Sequence, residues 1–121
     1  MKKEEFKKRV ESRTFGRNSG ILSLTVEPKN FRGVAEYLRS EAEMELDFVE
    51  AITAFALDKA IIVSWFMRSY HTDVNIVLRT SLDKIHSERE PVIESIADLW
   101  PMARAFEEEI STHFGVRFDA A

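Results

Sequence analysis

Apolar and polar residues alternate over positions 21–27, with Leu22, Leu24 and Val26 facing one way, which predicts a half-buried strand. Pro28 ends it, because proline brings no N–H to a ladder. The same proline suits a first helical turn, with Glu27 extended before it. Phe31, Val34, Ala35, Leu38 and Ala42 then recur at helical spacing and predict a helix from 28 to about 42. Positions 46–57 fit two periods. Leu46, Phe48, Ile52 and Ala54 suit a strand, and Val49, Ile52 and Phe55 suit a helix; the strand is the preferred reading. Asp58-Lys59 reads as a turn. Residues 60–68 are apolar on both faces, the mark of a central strand. Residues 73–80 alternate, with Val74, Ile76 and Leu78 inward, and Ser69–Thr72 joins these two strands in a hairpin.

Residues 81–94 are polar and read as a loop. Ser95 with Asp98 resembles a capping box with Asp in place of Glu. Trp100-Pro101 is a break, since the residue before proline avoids helical angles. A second helix is expected from Pro101, with Met102, Phe106, Ile110 and Phe114 on its apolar face and Gly115 as its C-terminal cap. Val116–Phe118 is a short strand or an extended tail. At the other end, residues 4–14 suggest a short basic helix in which Phe6 and Val10 share a face. Gly16 and Asn18-Ser19-Gly20 close it. The sum is an α+β fold: one two-layer domain over 21–121, a mixed sheet of three to four strands against two main helices. The basic helix and turn at 1–20 precede it.

The 121 residues fit one domain, and 45% hydrophobic with 31% charged residues is a globular balance. There is no cysteine, which excludes a disulfide scaffold, a Cys-ligated zinc, an iron–sulfur cluster and a thiol nucleophile in this chain. The net charge of −4 disfavours a duplex nucleic-acid binder. It is unevenly spread: residues 1–20 carry +4, leaving −8 for the rest. No apolar run reaches the length of a membrane span, and no apolar core follows the N-terminal lysines as in a secretory signal. The expectation is a soluble, cytosolic protein.

Candidate chemistry is sparse. His71, His86 and His113 fall in different predicted elements and lack metal-ligand spacing. Gly16, Gly20, Gly33 and Gly115 make no phosphate loop. The six acids of 36–50 lack the alternation and central glycine of a calcium loop. Glu107, Glu108 and Glu109 form the densest carboxylate cluster. Adjacent helical residues point about 100° apart, so the plainer reading is a charge that complements the helix dipole rather than an acid–base pair. Trp65, Phe66, Trp100 and Phe106 read as core. Composition and spacing alone therefore predict an α+β domain with no catalytic, cofactor or metal site of its own.

Residues 100–118 carry more. They read Trp-Pro-Met-Ala-Arg-Ala-Phe-Glu-Glu-Glu-Ile-Ser-Thr-His-Phe-Gly-Val-Arg-Phe. This resembles the signature of the C-subunit family of NADH:quinone oxidoreductase (complex I), small proteins of its peripheral arm. The family includes homologous subunits of energy-converting membrane-bound nickel–iron hydrogenases. Trp100, Pro101, Ala103, Glu107, Glu109, Phe114, Gly115 and Phe118 match that signature. Phe106, Ile110 and Val116 are conservative matches. Ala105, Glu108, Ser111, Thr112 and His113 depart from it. The family's order of strands and helices also follows from residue 21 onward. Its subsequent Gly-His-Pro-Asp tail, which wraps a neighbouring subunit in complex I, does not follow Phe118, and this shorter form looks more like the hydrogenase branch.

The resemblance implies a non-catalytic accessory subunit without metal or flavin. Such a subunit braces the large catalytic subunit on the cytoplasmic side of a membrane complex, near the small iron–sulfur subunit. The nickel–iron centre and iron–sulfur clusters would then belong to those partners. It makes Glu107, Glu109, Trp100, Pro101, Phe114, Gly115 and Phe118 candidates for the partner interface. One rival is the same role in NADH:quinone oxidoreductase. A rival of another class is a stand-alone interaction or regulatory domain of ferredoxin-like type.

Overall fold

The computed structural model describes residues 21–42, 44–72, 74–83 and 90–120. The basic helix expected at 4–14 lies outside them. Strand β1 (Ile21–Thr25) leads into helix α1 (Pro28–Ser40), then β2 (Phe48–Leu57), β3 (Ala60–Arg68) and β4 (Asn75–Asp83). A short strand β5 (Val92–Glu94), helix α2 (Ala103–Phe114) and a strand β6 (Arg117–Asp119) follow. The expected two-layer α+β architecture is observed. Four strands form a mixed sheet in the order β1-β4-β3-β2, with β1 parallel to β4 and the other pairs antiparallel. A second, two-stranded sheet pairs β5 with β6 in parallel.

The main sheet buries one face under the two helices. Leu22, Leu24, Ile76, Leu78, Val63, Trp65 and Met67 point into that layer and are buried. From α1, Phe31, Ala35 and Leu38 pack down on them, and the Phe31 and Trp65 rings lie 4.2 Å apart. Each such fully buried large side chain contributes about 1.5–3 kcal/mol. Thr80 is the polar member of the inward row. Its hydroxyl donates to the Val26 carbonyl at 2.8 Å, and the Val26 N–H donates to the Arg79 carbonyl. Together they hold the β1–α1 corner against β4.

The strand preferred over 46–57 is observed as β2, but its facing and two other sequence expectations need correction. The two periods at 46–57 have one cause, an irregularity between Val49 and Ala51 where Glu50 is the extra residue. A bulge flips the facing of every residue on one side of it. Val49 and Ile52 both point inward, while Phe48 sits opposite Arg68 on the outer side. The polar stretch 81–94 is not all loop: β4 runs to Asp83 and β5 occupies Val92–Glu94. Finally, Ser95 and Asp98 do not box a helix start. The Ser95 hydroxyl accepts the Ala97 N–H, and Asp98 pairs with Arg32 of α1.

Candidate functional site

The motif segment folds as a unit in which β5, α2 and β6 follow one another and the two strands pair in parallel. Two backbone bonds extend the ladder, Ser95 N–H to Asp119 and Arg117 N–H to Pro91. Between β5 and α2 the chain makes two turns in succession, the first with the Trp100 N–H on the Ile96 carbonyl at 2.9 Å and the second with the Ala103 N–H on the Trp100 carbonyl at 2.9 Å. Pro101 then leads into α2, which starts two residues later than expected, at Ala103.

Trp100 is fully buried. Its indole N–H donates to the Leu46 carbonyl at 2.8 Å, and the Arg39 guanidinium stands 5.8 Å from its ring. It therefore ties the turn before α2 to the strand-entry loop before β2. Pro101 beside it is exposed. The buried line of α2 is Ala103, Glu107 and Ile110, with Met102, Phe106 and Phe114 only partly buried at its flanks. The buried face shares Ile110 with the expected one but is turned from it by about half a residue, and a carboxylate lies in its centre.

Glu107 is 5% exposed. One of its oxygens accepts the Ser95 hydroxyl at 2.7 Å and the other accepts the Ile96 N–H at 3.0 Å. Both donors stand just after β5, so this side chain locks the helix to the strand it follows. Burial pushes the carboxyl above its ordinary range, and the two hydrogen bonds and nearby Arg104 only partly offset that. A second tie runs through Arg32 of α1. It grips Asp98 with two bonds of 2.6 Å and donates to the Ser95 carbonyl at 3.1 Å. That grip holds Asp98 below the usual carboxylate range.

The other motif residues take different places. Glu109 is on the exposed side of α2 with Arg104, Ala105 and Glu108. Gly115 has φ +68° and gives its N–H to the Ser111 carbonyl, the left-handed cap expected of it. A side chain there is strained, so Gly115→Ala should cost about 1 kcal/mol in urea unfolding. Phe114 and Phe118 are half-buried against the core. The candidates do not converge on one surface: Trp100 and Glu107 work inside the chain, and Pro101, Glu109 and Gly115 are left outside. Arg32 and the Leu46 carbonyl, which complete the inner network, were not singled out from sequence, and Ser95 was read there only as a helix cap, because each of these contacts is made only across the fold.

Elsewhere, no group of three His, Cys, Asp or Glu side chains able to hold a metal occurs among the described residues. His71 stands 3.7 Å from Asp47, and His113 is exposed. A groove of about 990 Å³ runs along α1 past Gly33, Val34, Tyr37 and Leu99. No helix of the described residues is long and apolar enough to cross a membrane.

Comparison with known proteins agrees with the geometry. The family model described as "Respiratory-chain NADH dehydrogenase, 30 Kd subunit" matches residues 24–121. The C subunit of NADH-quinone oxidoreductase from Roseiflexus castenholzii is 29% identical over 102 residues, which are 82% of this chain and 56% of that one. The corresponding subunit of a Ruegeria species is also 29% identical, over 82% of this chain and 48% of its own. The chain thus spans about half the length of these curated relatives. Among solved structures, a chain of the membrane-bound sulfane sulfur reductase, an archaeal respiratory membrane complex, shares the fold. Its TM-score is 0.71 at 18% identity, over 95% of this chain and 69% of that one. With the Trp-Pro turn, the buried glutamate and the glycine cap all in place, the chain belongs to the family of the 30 kDa subunit of respiratory-chain NADH dehydrogenase, the C-subunit family.

Proposed function

We propose that the chain is a non-catalytic accessory subunit of a membrane-bound, energy-converting nickel–iron hydrogenase-type complex. In this reading it braces the large catalytic subunit on the cytoplasmic side and lies near the small iron–sulfur subunit. The nickel–iron centre and the clusters reside in those partners. The observation that carries the subunit role is the family match over residues 24–121. The fold shared with a chain of an archaeal respiratory membrane complex supports the same direction. A second reading, the same role in an NADH:quinone oxidoreductase, is favoured by the names of the curated relatives.

Of the two carboxylates that match the motif, Glu107 is buried and Glu109 is left exposed for a partner's Arg or Lys. Co-expression with the large subunit encoded in the same genome tests the proposal. A one-to-one complex is expected on size exclusion. Glu109→Ala should weaken it about fivefold, near 1 kcal/mol, as for a charge at an interface rim. The melting temperature of the isolated variant should not move. Absence of any complex with the wild-type chain would sink the reading.

A further inference from the structure

Both helices lie on the Trp65 side of the four-stranded sheet, and no described element covers the other side. Most of the large apolar side chains that the fold leaves exposed sit there: Ile21, Phe55 at 50%, Leu57, and Tyr70 at 61% beyond the end of β3. The register places Arg79 in their midst. It pairs across with Ser64 and Thr25, in the row between Phe66–Val77 and Ile62–Phe55.

Arg79 is half-buried there. Its Nε donates to the Ser64 hydroxyl at 3.0 Å and its Nη1 reaches the Ser23 hydroxyl at 3.5 Å. Both acceptors are neutral. Arg32, Arg68 and Arg117 each hold a carboxylate, namely Asp98, Glu50 and Asp119. Among the described residues none does so for Arg79. Among the described residues, the other charges of these outward rows are the Arg68–Glu50 pair and Asp83, so the rows carry no net negative charge.

We propose that this sheet face docks a protein partner whose surface is apolar with an aspartate or glutamate at its centre, and that Arg79 receives that carboxylate. Aromatic and arginine side chains in a field depleted of other charge are what the centre of a protein interface contains. A guanidinium takes a carboxylate through paired hydrogen bonds, which fixes register. An anionic lipid surface or a nucleic acid needs many cations, and among the described residues this face offers one, Arg79, that holds no carboxylate. The proposal rests on the subunit reading for the existence of a partner and adds to it the surface and the chemistry.

The test uses the tagged full chain in its native cells, with a photo-crosslinking amino acid in place of Phe55. The expected result is capture of one subunit of the complex. Arg79→Glu should cut the capture at least tenfold. Changing to Lys the Asp or Glu of the partner that lies nearest the crosslinked peptide should restore it. Arg79→Met, which keeps the stem, serves if Arg79→Glu fails to fold, and should lower capture severalfold. If the captured and charge-rescued protein is unrelated to any hydrogenase-like or quinone-site subunit, the docking inference stands and the subunit reading falls. Capture that ignores Arg79, capture only of lipid or of a second copy, or no capture overturns the docking inference.

Discussion

Trp100→Ala should destabilise the isolated chain by about 4 kcal/mol, the usual scale for emptying a buried tryptophan site. The side chain is fully buried, and its indole N–H satisfies the Leu46 carbonyl. Alanine removes the ring and leaves that acceptor in a site made dry by its neighbours. A domain of this size has only about 5–15 kcal/mol in total, so the variant sits near the edge of folding. Trp100→Phe keeps most of the volume and loses the hydrogen bond, for an expected cost of about 1–2 kcal/mol. Urea unfolding followed by far-UV circular dichroism measures both. Equal effects of the two variants would mean that ring volume is not what holds the Trp-Pro turn.

Glu107→Ala should cost about 3 kcal/mol, because it strands the buried Ile96 N–H and the Ser95 hydroxyl together. Glu107→Gln keeps the shape and can still bond both groups, so about 1 kcal/mol is expected. The pH dependence separates a buried carboxylate from a surface one. Burial raises the folded-state value above the unfolded one. The stability this group adds is therefore full below the ordinary glutamate value and is lost as pH rises through the raised one. The wild-type advantage over Glu107→Gln should shrink across that window. If Glu107→Ala unfolds like the wild type and only assembly suffers, the glutamate faces a partner and not the fold.

Much of this was legible in the sequence where one physical rule acted alone. Pro28 and Gly115 each have a backbone demand no neighbour can override, and both stand where expected. The alternation of β1 and the doubly apolar β3 marked a half-buried strand and a central one. The motif named the segment that matters. Its internal division was not legible, because Glu107 and Glu109 look alike in sequence and are told apart only by the rotation of α2 on the core. The bulge at Glu50 was hidden for a related reason: an extra residue leaves two incomplete periods and no composition signal. β5 escaped because three residues are too few for periodicity, and its partner β6 lies beyond a helix. Arg79 was readable as an outward residue between Leu78 and Thr80, but its want of a carboxylate appears only once Ser64 and Ser23 are beside it.

The central claim is that this fold serves as an accessory subunit of a membrane-bound oxidoreductase complex. It is tested most directly by isolating the tagged chain from its native membranes in mild detergent, with mass spectrometry and metal analysis of the eluate. The account predicts nickel and iron together with a large hydrogenase-like subunit. Iron with flavin and no nickel would move the role to the NADH:quinone branch. A lone, metal-free chain recovered from the soluble fraction would contradict the account.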